Sequence, residues 1–161
     1  MYRWLLLLYG RLPRRVRRSI VRRTTPSFTV GAVCFIERAD GRVLLIRQSY
    51  RHDWGLPGGL LQRHELPAEA ARREIREETG LDIVLVSEPA VVIDPSPRRV
   101  DVVFRARLVD DADAERARPT SVEIVEVGWF PPAELPRLQF ETTQAIQALA
   151  RAKVASLIPP A

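Results

Sequence analysis

Between Pro67 and Gly80 the chain reads PAEAARREIREETG, a stretch with little freedom in what it can become. Proline suits the first turn of a helix, where its missing N–H loses no partner, and glycine suits the left-handed residue that stops one. Ala68, Ala71 and Ile75 recur at helical spacing and predict a buried stripe over about 67–79. The same period puts Glu74, Glu77 and Glu78 on one face within about one turn, where like charges four apart repel by a few tenths of a kcal/mol. Something must offset that repulsion. Ordinary ion pairs would do so, since Arg73 lies four residues from both Glu69 and Glu77. So would a divalent cation, because clustered carboxylate oxygens are what Mg²⁺ or Mn²⁺ prefers.

The rest of the chain frames this helix with strands. FTVGAVCFIE (28–37) has β-branched and aromatic character, Asp40-Gly41 is a hairpin turn signal, and RVLLIR (42–47) predicts the returning strand. A Gly/Pro-rich loop, WGLPGGL (54–60), leads into the helix, with Trp54 read as a core plug. Further strands are expected at about 83–93, 100–109 and 122–130, a polar acidic loop at 110–119, and a last amphipathic helix at about 141–154. Strand runs around one central helix, closed by a second, predict an α/β (α+β) fold with a mixed β-sheet sandwiched between helices. The only Gly-rich loop, GLPGG, lacks both the dinucleotide-binding spacing and the P-loop ending.

At 161 residues the chain is most simply one domain with appendages: an arm at 1–26, the domain at 27–155 and a tail at 156–161. The net charge is +5, but residues 1–23 hold eight arginines and no acid, so five minus eight leaves the remainder at −3. The basicity belongs to the arm. Cys34 is alone, which excludes an intrachain disulfide and a Cys-rich metal site and fits a reducing cytoplasm. The apolar run Trp4–Tyr9 is far shorter than the roughly 20 residues of a membrane-spanning helix, and arginines placed mostly after it do not suit an export signal. Pro13 breaks the arm in two, and its apolar block is expected to pack on the domain or a second subunit, with peripheral contact to an anionic membrane as the alternative. Nucleic acid is not expected as a partner, because the arm carries charge but no recognition pattern.

Read outward from the helix, residues 59–81 are GLLQRHELPAEAARREIREETGL. This resembles the Nudix box: glycine, five residues, glutamate, seven residues, then Arg-Glu-apolar-x-Glu-Glu-x-Gly-apolar. Gly59, Glu65, Arg73, Glu74, Ile75, Glu77, Glu78, Gly80 and Leu81 fill every specified position. A chance match at one start is on the order of one in 10⁹ from ordinary residue frequencies. The flanking WGLPGG and VEIVEVGWFPPAEL (122–135) look like the family's neighbouring segments, so the resemblance covers about 27–150 and leaves out the arm.

The resemblance implies a Nudix-like fold and hydrolysis of a nucleoside diphosphate linked to another group, either ADP-ribose-like or a nucleoside triphosphate, by water attack on phosphorus. It implies Mg²⁺, with Mn²⁺ as substitute, held by Glu74, Glu77, Glu78 and the Gly59 carbonyl, and a Glu65–Arg73 pair tying the loop to the helix. The general base in the family is a box glutamate or an acid from a later loop; Glu74 is preferred here over Glu123 and Glu126. Arg47 and Arg51 precede the loop and are candidates for substrate phosphates. Pro95 and Pro97, in DPSPRR, bracket the position where ADP-ribose hydrolases often carry a proline, beside Arg98 and Arg99. His52 and His64 show no catalytic pattern. Two departures, Gln62 for a common Glu and Leu66 for a common Ser or Thr, leave the number of metal ions open and remove a helix cap usually worth about 1 kcal/mol. Many Nudix proteins are dimers. The competing reading is a catalytically silent Nudix-fold module that binds a nucleotide, although such a module has no need of all three glutamates.

Overall fold

The computed structural model of the chain describes residues 3–155, and the tail expected at 156–161 lies outside them. Pro13 divides the arm into α1 (Arg3–Arg11) and α2 (Arg14–Thr24), and its carbonyl accepts the first backbone bonds of the second helix, from Val16 and Arg17. The domain then runs β1 (Thr29–Ile36), β2 (Val43–Gln48), β3 (Gly58–Leu60), α3 (Pro67–Thr79), β4 (Ile83–Leu85), β5 (Ala90–Asp94), β6 (Arg99–Leu108), β7 (Ile124–Phe130) and α4 (Phe140–Ala155).

The larger sheet is mixed. β1 pairs antiparallel with β3, Ala32 opposite Gly59, and parallel with β6, Val30 opposite Val100. β4 and β5 follow one another along the other edge of β6, both antiparallel to it. β2 and β7 form a separate antiparallel pair, Leu44 opposite Trp129.

Alternation along β1 sorts its side chains to two cores. Ala32, Cys34 and Ile36 meet Ala70, Ala71 and Ile75 of α3, whereas Val33 and Phe35 turn to the opposite face, where Ala145, Ala148 and Leu149 of α4 pack. The sheets thus lie between two helices, as expected.

Two local expectations change. The Asp40-Gly41 turn forms, with the Gly41 N–H on the Arg38 carbonyl at 2.9 Å, yet after a single bridge between Glu37 and Val43 its strands part into different sheets. Val43, Leu44, Leu45 and Ile46 are all buried, a strand covered on both faces whose partner is β7 rather than its hairpin neighbour. The strand expected over 83–93 is two, because the chain leaves the ladder around Pro89, which has no N–H to give it. The acidic loop contains a 3₁₀ turn, Asp111–Arg116, capped by Asp110 accepting from the Ala112 N–H at 2.9 Å. No described helix is long and apolar enough to cross a membrane.

Candidate functional site

Everything about α3 serves to fix its last two turns. Leu66 has no side chain with which to cap, but the Glu69 carboxylate accepts the Leu66 N–H at 3.0 Å, supplying half of a capping box from inside the helix. At the other end Gly80 adopts φ 73°, and its N–H bonds the Arg76 carbonyl at 3.0 Å. The loop at 118–120 satisfies the remaining carbonyls: Arg118 N–H on Thr79, Thr120 N–H on Glu78, and Thr120 Oγ1 on Glu77 at 2.8 Å.

β3 brings the Gly-rich loop against this helix. The Gly58 N–H donates to Glu78 Oε2 at 2.8 Å. Gly58 has φ 144°, and a side chain there would collide with the Ala32 carbonyl. At Gly59 a Cβ would stand 2.5 Å from Glu74 Oε1, so glycine is what lets that carboxylate approach the loop. Glu74 is a flexible side chain that can swing away. Gly59→Ala is therefore expected to keep its melting temperature within about 3 °C of wild type while turnover falls by about tenfold or more through misplacement of Glu74; thermal melts and initial rates check both.

Arg73 is the hub. Its Nε and Nη2 hold the two oxygens of Glu65 at 2.7 and 2.9 Å, its Nη1 reaches Glu74 at 2.7 Å and Glu77 at 3.1 Å, and Nη2 also meets the Leu60 carbonyl at 3.2 Å. Bonded by Arg73 and by the Gln62 N–H, the Glu65 carboxyl is pulled down to about 2, while Glu65 first, then Glu74 and Glu77, push the Arg73 guanidinium up against the opposing effect of burial. Glu78 is the opposite case. Only 7% exposed, it is raised to about 8, first by burial and then by the charges of Glu74, Glu123 and Glu77, against the pull of the Gly58 N–H.

Glu74 and Glu78 form one wall of a cavity of about 430 Å³, with Gly58 and Gly59. Arg51, Arg99, Asp101, Glu123 and Glu141 also line it. Asp101 is buried and fastens Arg99 through Nε at 2.8 and 2.9 Å. Arg51 donates to Glu141 at 3.2 Å; burial pushes Glu141 up, but a backbone N–H and this guanidinium outweigh it and hold the carboxyl below its ordinary value. The family model of the NUDIX domain matches residues 27–151 of the chain.

This chain belongs to the Nudix family.

Its relatives agree. A MutT-like protein of Streptomyces ambofaciens is 34% identical over 110 residues, covering 68% of each chain. A Bacillus subtilis protein named as a putative ADP-ribose pyrophosphatase is 32% identical over 124 residues, 71% of this chain and 54% of that one. The chain thus spans about two thirds of the first relative's length and about half of the second's. The crystal structure of a Nudix hydrolase from Nitrosomonas europaea superposes with a TM-score of 0.67 at 26% identity, covering 76% of this chain and 70% of that one. Nudix hydrolases act on phosphoanhydride bonds.

Within this Nudix domain the residues singled out in the sequence separate into two groups. Gly59, Glu65, Arg73, Glu74, Glu77 and Glu78 come together, although Glu77 faces Arg73 rather than the cavity. Arg51 lines the cavity. Arg47 does not: it forms a two-pronged pair with Glu126, at 3.0 and 2.6 Å, across the β2–β7 ladder. Of the later acids, Glu123 lines the cavity and Glu126 is taken up by Arg47. Trp54 packs edge-on to Phe130 at 4.8 Å in the α4-side core. Asp101, Gln139, Glu141 and Thr142 line the cavity without any signal in the sequence, because β6 and the start of α4 reach it from far along the chain. Thr142 is the clearest of these: buried, its hydroxyl takes the Leu56 N–H at 3.1 Å and ties α4 to the Gly/Pro-rich loop.

Proposed function

We propose that this Nudix protein is a Mg²⁺-dependent pyrophosphohydrolase that cleaves a nucleoside diphosphate linked to another moiety, ADP-ribose-like or a nucleoside triphosphate, by water attack on phosphorus. The observation that carries this is Glu78, a buried carboxyl beside three others that accepts a hydrogen bond from the Gly58 backbone N–H. Such a group is stable as a carboxylate only opposite a cation. The described side chains do not close into a ready-made cage of three ligands, since Glu74 and Glu77 rest on Arg73. Mg²⁺ does not require one, because it keeps several waters and takes substrate phosphates as ligands.

Glu74, Glu77, Glu78 and the Gly59 carbonyl are the residues that would hold the ion. When bound, it would neutralise charge on the phosphoryl oxygens and lower the pKa of a bound water. Glu74, at the cavity wall, would take the proton of the attacking water on a carboxylate oxygen; Glu123 is its competitor for that role. Arg51 and Arg99, each steadied by an acid, would bind the phosphates across the cavity. Arg73 acts through others: it positions Glu65, Glu74 and the Leu60 carbonyl without touching substrate. The single cysteine leads us to place the enzyme in a reducing cytoplasm.

A panel of ADP-ribose, NADH, diadenosine polyphosphates and each (d)NTP, with products identified by mass, tests the reading. A nucleoside monophosphate formed with Mg²⁺ and abolished by EDTA is expected. Binding without turnover across the panel would leave a silent nucleotide-binding module instead.

A further inference from the structure

The arm plays no part in the cavity, and its surface is unlike the rest of the molecule. α1 sets Trp4, Leu7 and Leu8 at positions i, i+3 and i+4, one face of the helix, and leaves them 62%, 61% and 55% exposed. On α2, Val16 and Ile20, four apart, are exposed too. Around them Arg11, Arg14, Arg15, Arg18 and Arg23 stand in solvent, and no acid precedes Glu37. An apolar face in a field of one sign needs a partner that is both anionic and able to take up hydrocarbon.

We propose that this arm docks on the surface of an anionic lipid bilayer. A second copy would bring the same uncompensated arginines against the first. A nucleic acid would meet the charge but offer Leu7 and Leu8 no apolar medium. A bilayer supplies both: anionic headgroups attract the basic residues near the surface, and the apolar face is buried at the acyl boundary. At nine residues α1 is too short to span, so it lies in the interface.

The test is sedimentation of the full chain with vesicles of phosphatidylcholine, alone or with about 30% phosphatidylglycerol, at low salt. Binding to the anionic vesicles at least about tenfold tighter than to neutral ones is expected, as is a loss of about tenfold or more in the triple variant Trp4→Ser, Leu7→Ser, Leu8→Ser. Trp4→Phe, which keeps the apolar face, should bind like wild type yet lose the blue shift in tryptophan emission that vesicles induce. The proposal is overturned if the wild type stays in the supernatant, if the triple variant binds undiminished, if the blue shift survives in Trp4→Phe, or if single-stranded RNA strips the protein from the vesicles and binds it more tightly. Hydrolysis of a soluble substrate without vesicles should be the same in all these proteins, which separates this outcome from that of the catalytic assignment.

Discussion

Glu78→Gln is expected to lower turnover at saturating Mg²⁺ by at least about 100-fold and, in the same protein stripped of metal, to raise stability near pH 8. The first effect follows from removing a charge that holds the ion while changing almost no volume; Glu77→Gln should match it in rate alone. The second follows from linkage. The folded-state value of Glu78, about 8, lies above its ordinary 4.5, so between the two the folded chain holds a proton that the unfolded chain has released. Stability of the metal-free wild type therefore falls as pH rises from about 4.5 to about 8, by on the order of a few kcal/mol. Glutamine, which never ionises, removes this slope. Initial rates and urea unfolding from pH 5 to 9 in EDTA measure the two. A variant with near-normal turnover, or a wild type whose metal-free stability does not change across that range, would sink the assignment.

Arg73→Ala should lose both activity and stability, the latter by about 5 °C in melting temperature. The guanidinium answers Glu65, Glu74, Glu77 and the Leu60 carbonyl at once, so its removal frees the loop before α3 and leaves partly buried acceptors unmatched. Lysine, a point charge without the planar fork, should restore little of either. The Glu65 carboxyl sharpens the test. Its value of about 2 in the folded state lies below the ordinary 4.5, so the stabilisation is present above about 4.5 and lost as pH falls toward 2. Arg73→Ala should flatten that part of the acid-unfolding curve, and an unchanged melt would count against the positioning role.

The part of this site that is legible in the sequence is the part whose causes are local. Pro67, Gly80 and the Ala68, Ala71 and Ile75 stripe specify a helix at the right length, and helical period alone puts the glutamates on one face. The turn at Asp40-Gly41 is equally readable, but where its second strand goes is not. Val43 to Ile46 are apolar on both faces, so alternation cannot say which sheet they join, and the choice rests on β7, far along the chain. The same limit hid the far wall of the cavity: Asp101 and Glu141 read as ordinary acids until β6 and α4 fold over the loop. Arg47 shows the converse, a residue near the loop in sequence whose alternate position in β2 turns it to Glu126 instead.

The parallel pairing of β1 with β6 has a consequence for how the enzyme comes into being. Thr29 bonds a carbonyl 69 residues away, and α3 with all its glutamates lies inside the loop that this pairing closes. Closing so long a loop is entropically expensive before any contact rewards it, which places the chain among slower, high-contact-order folders. The helix that presents the carboxylates packs on β3 and β1, whose own antiparallel pairing joins residues much closer in sequence, whereas Arg99 and Asp101 reach the cavity on β6. A nascent chain can therefore set its acidic helix against β1 and β3 while the β6 side of the cavity is still missing: competence waits for the long loop to close.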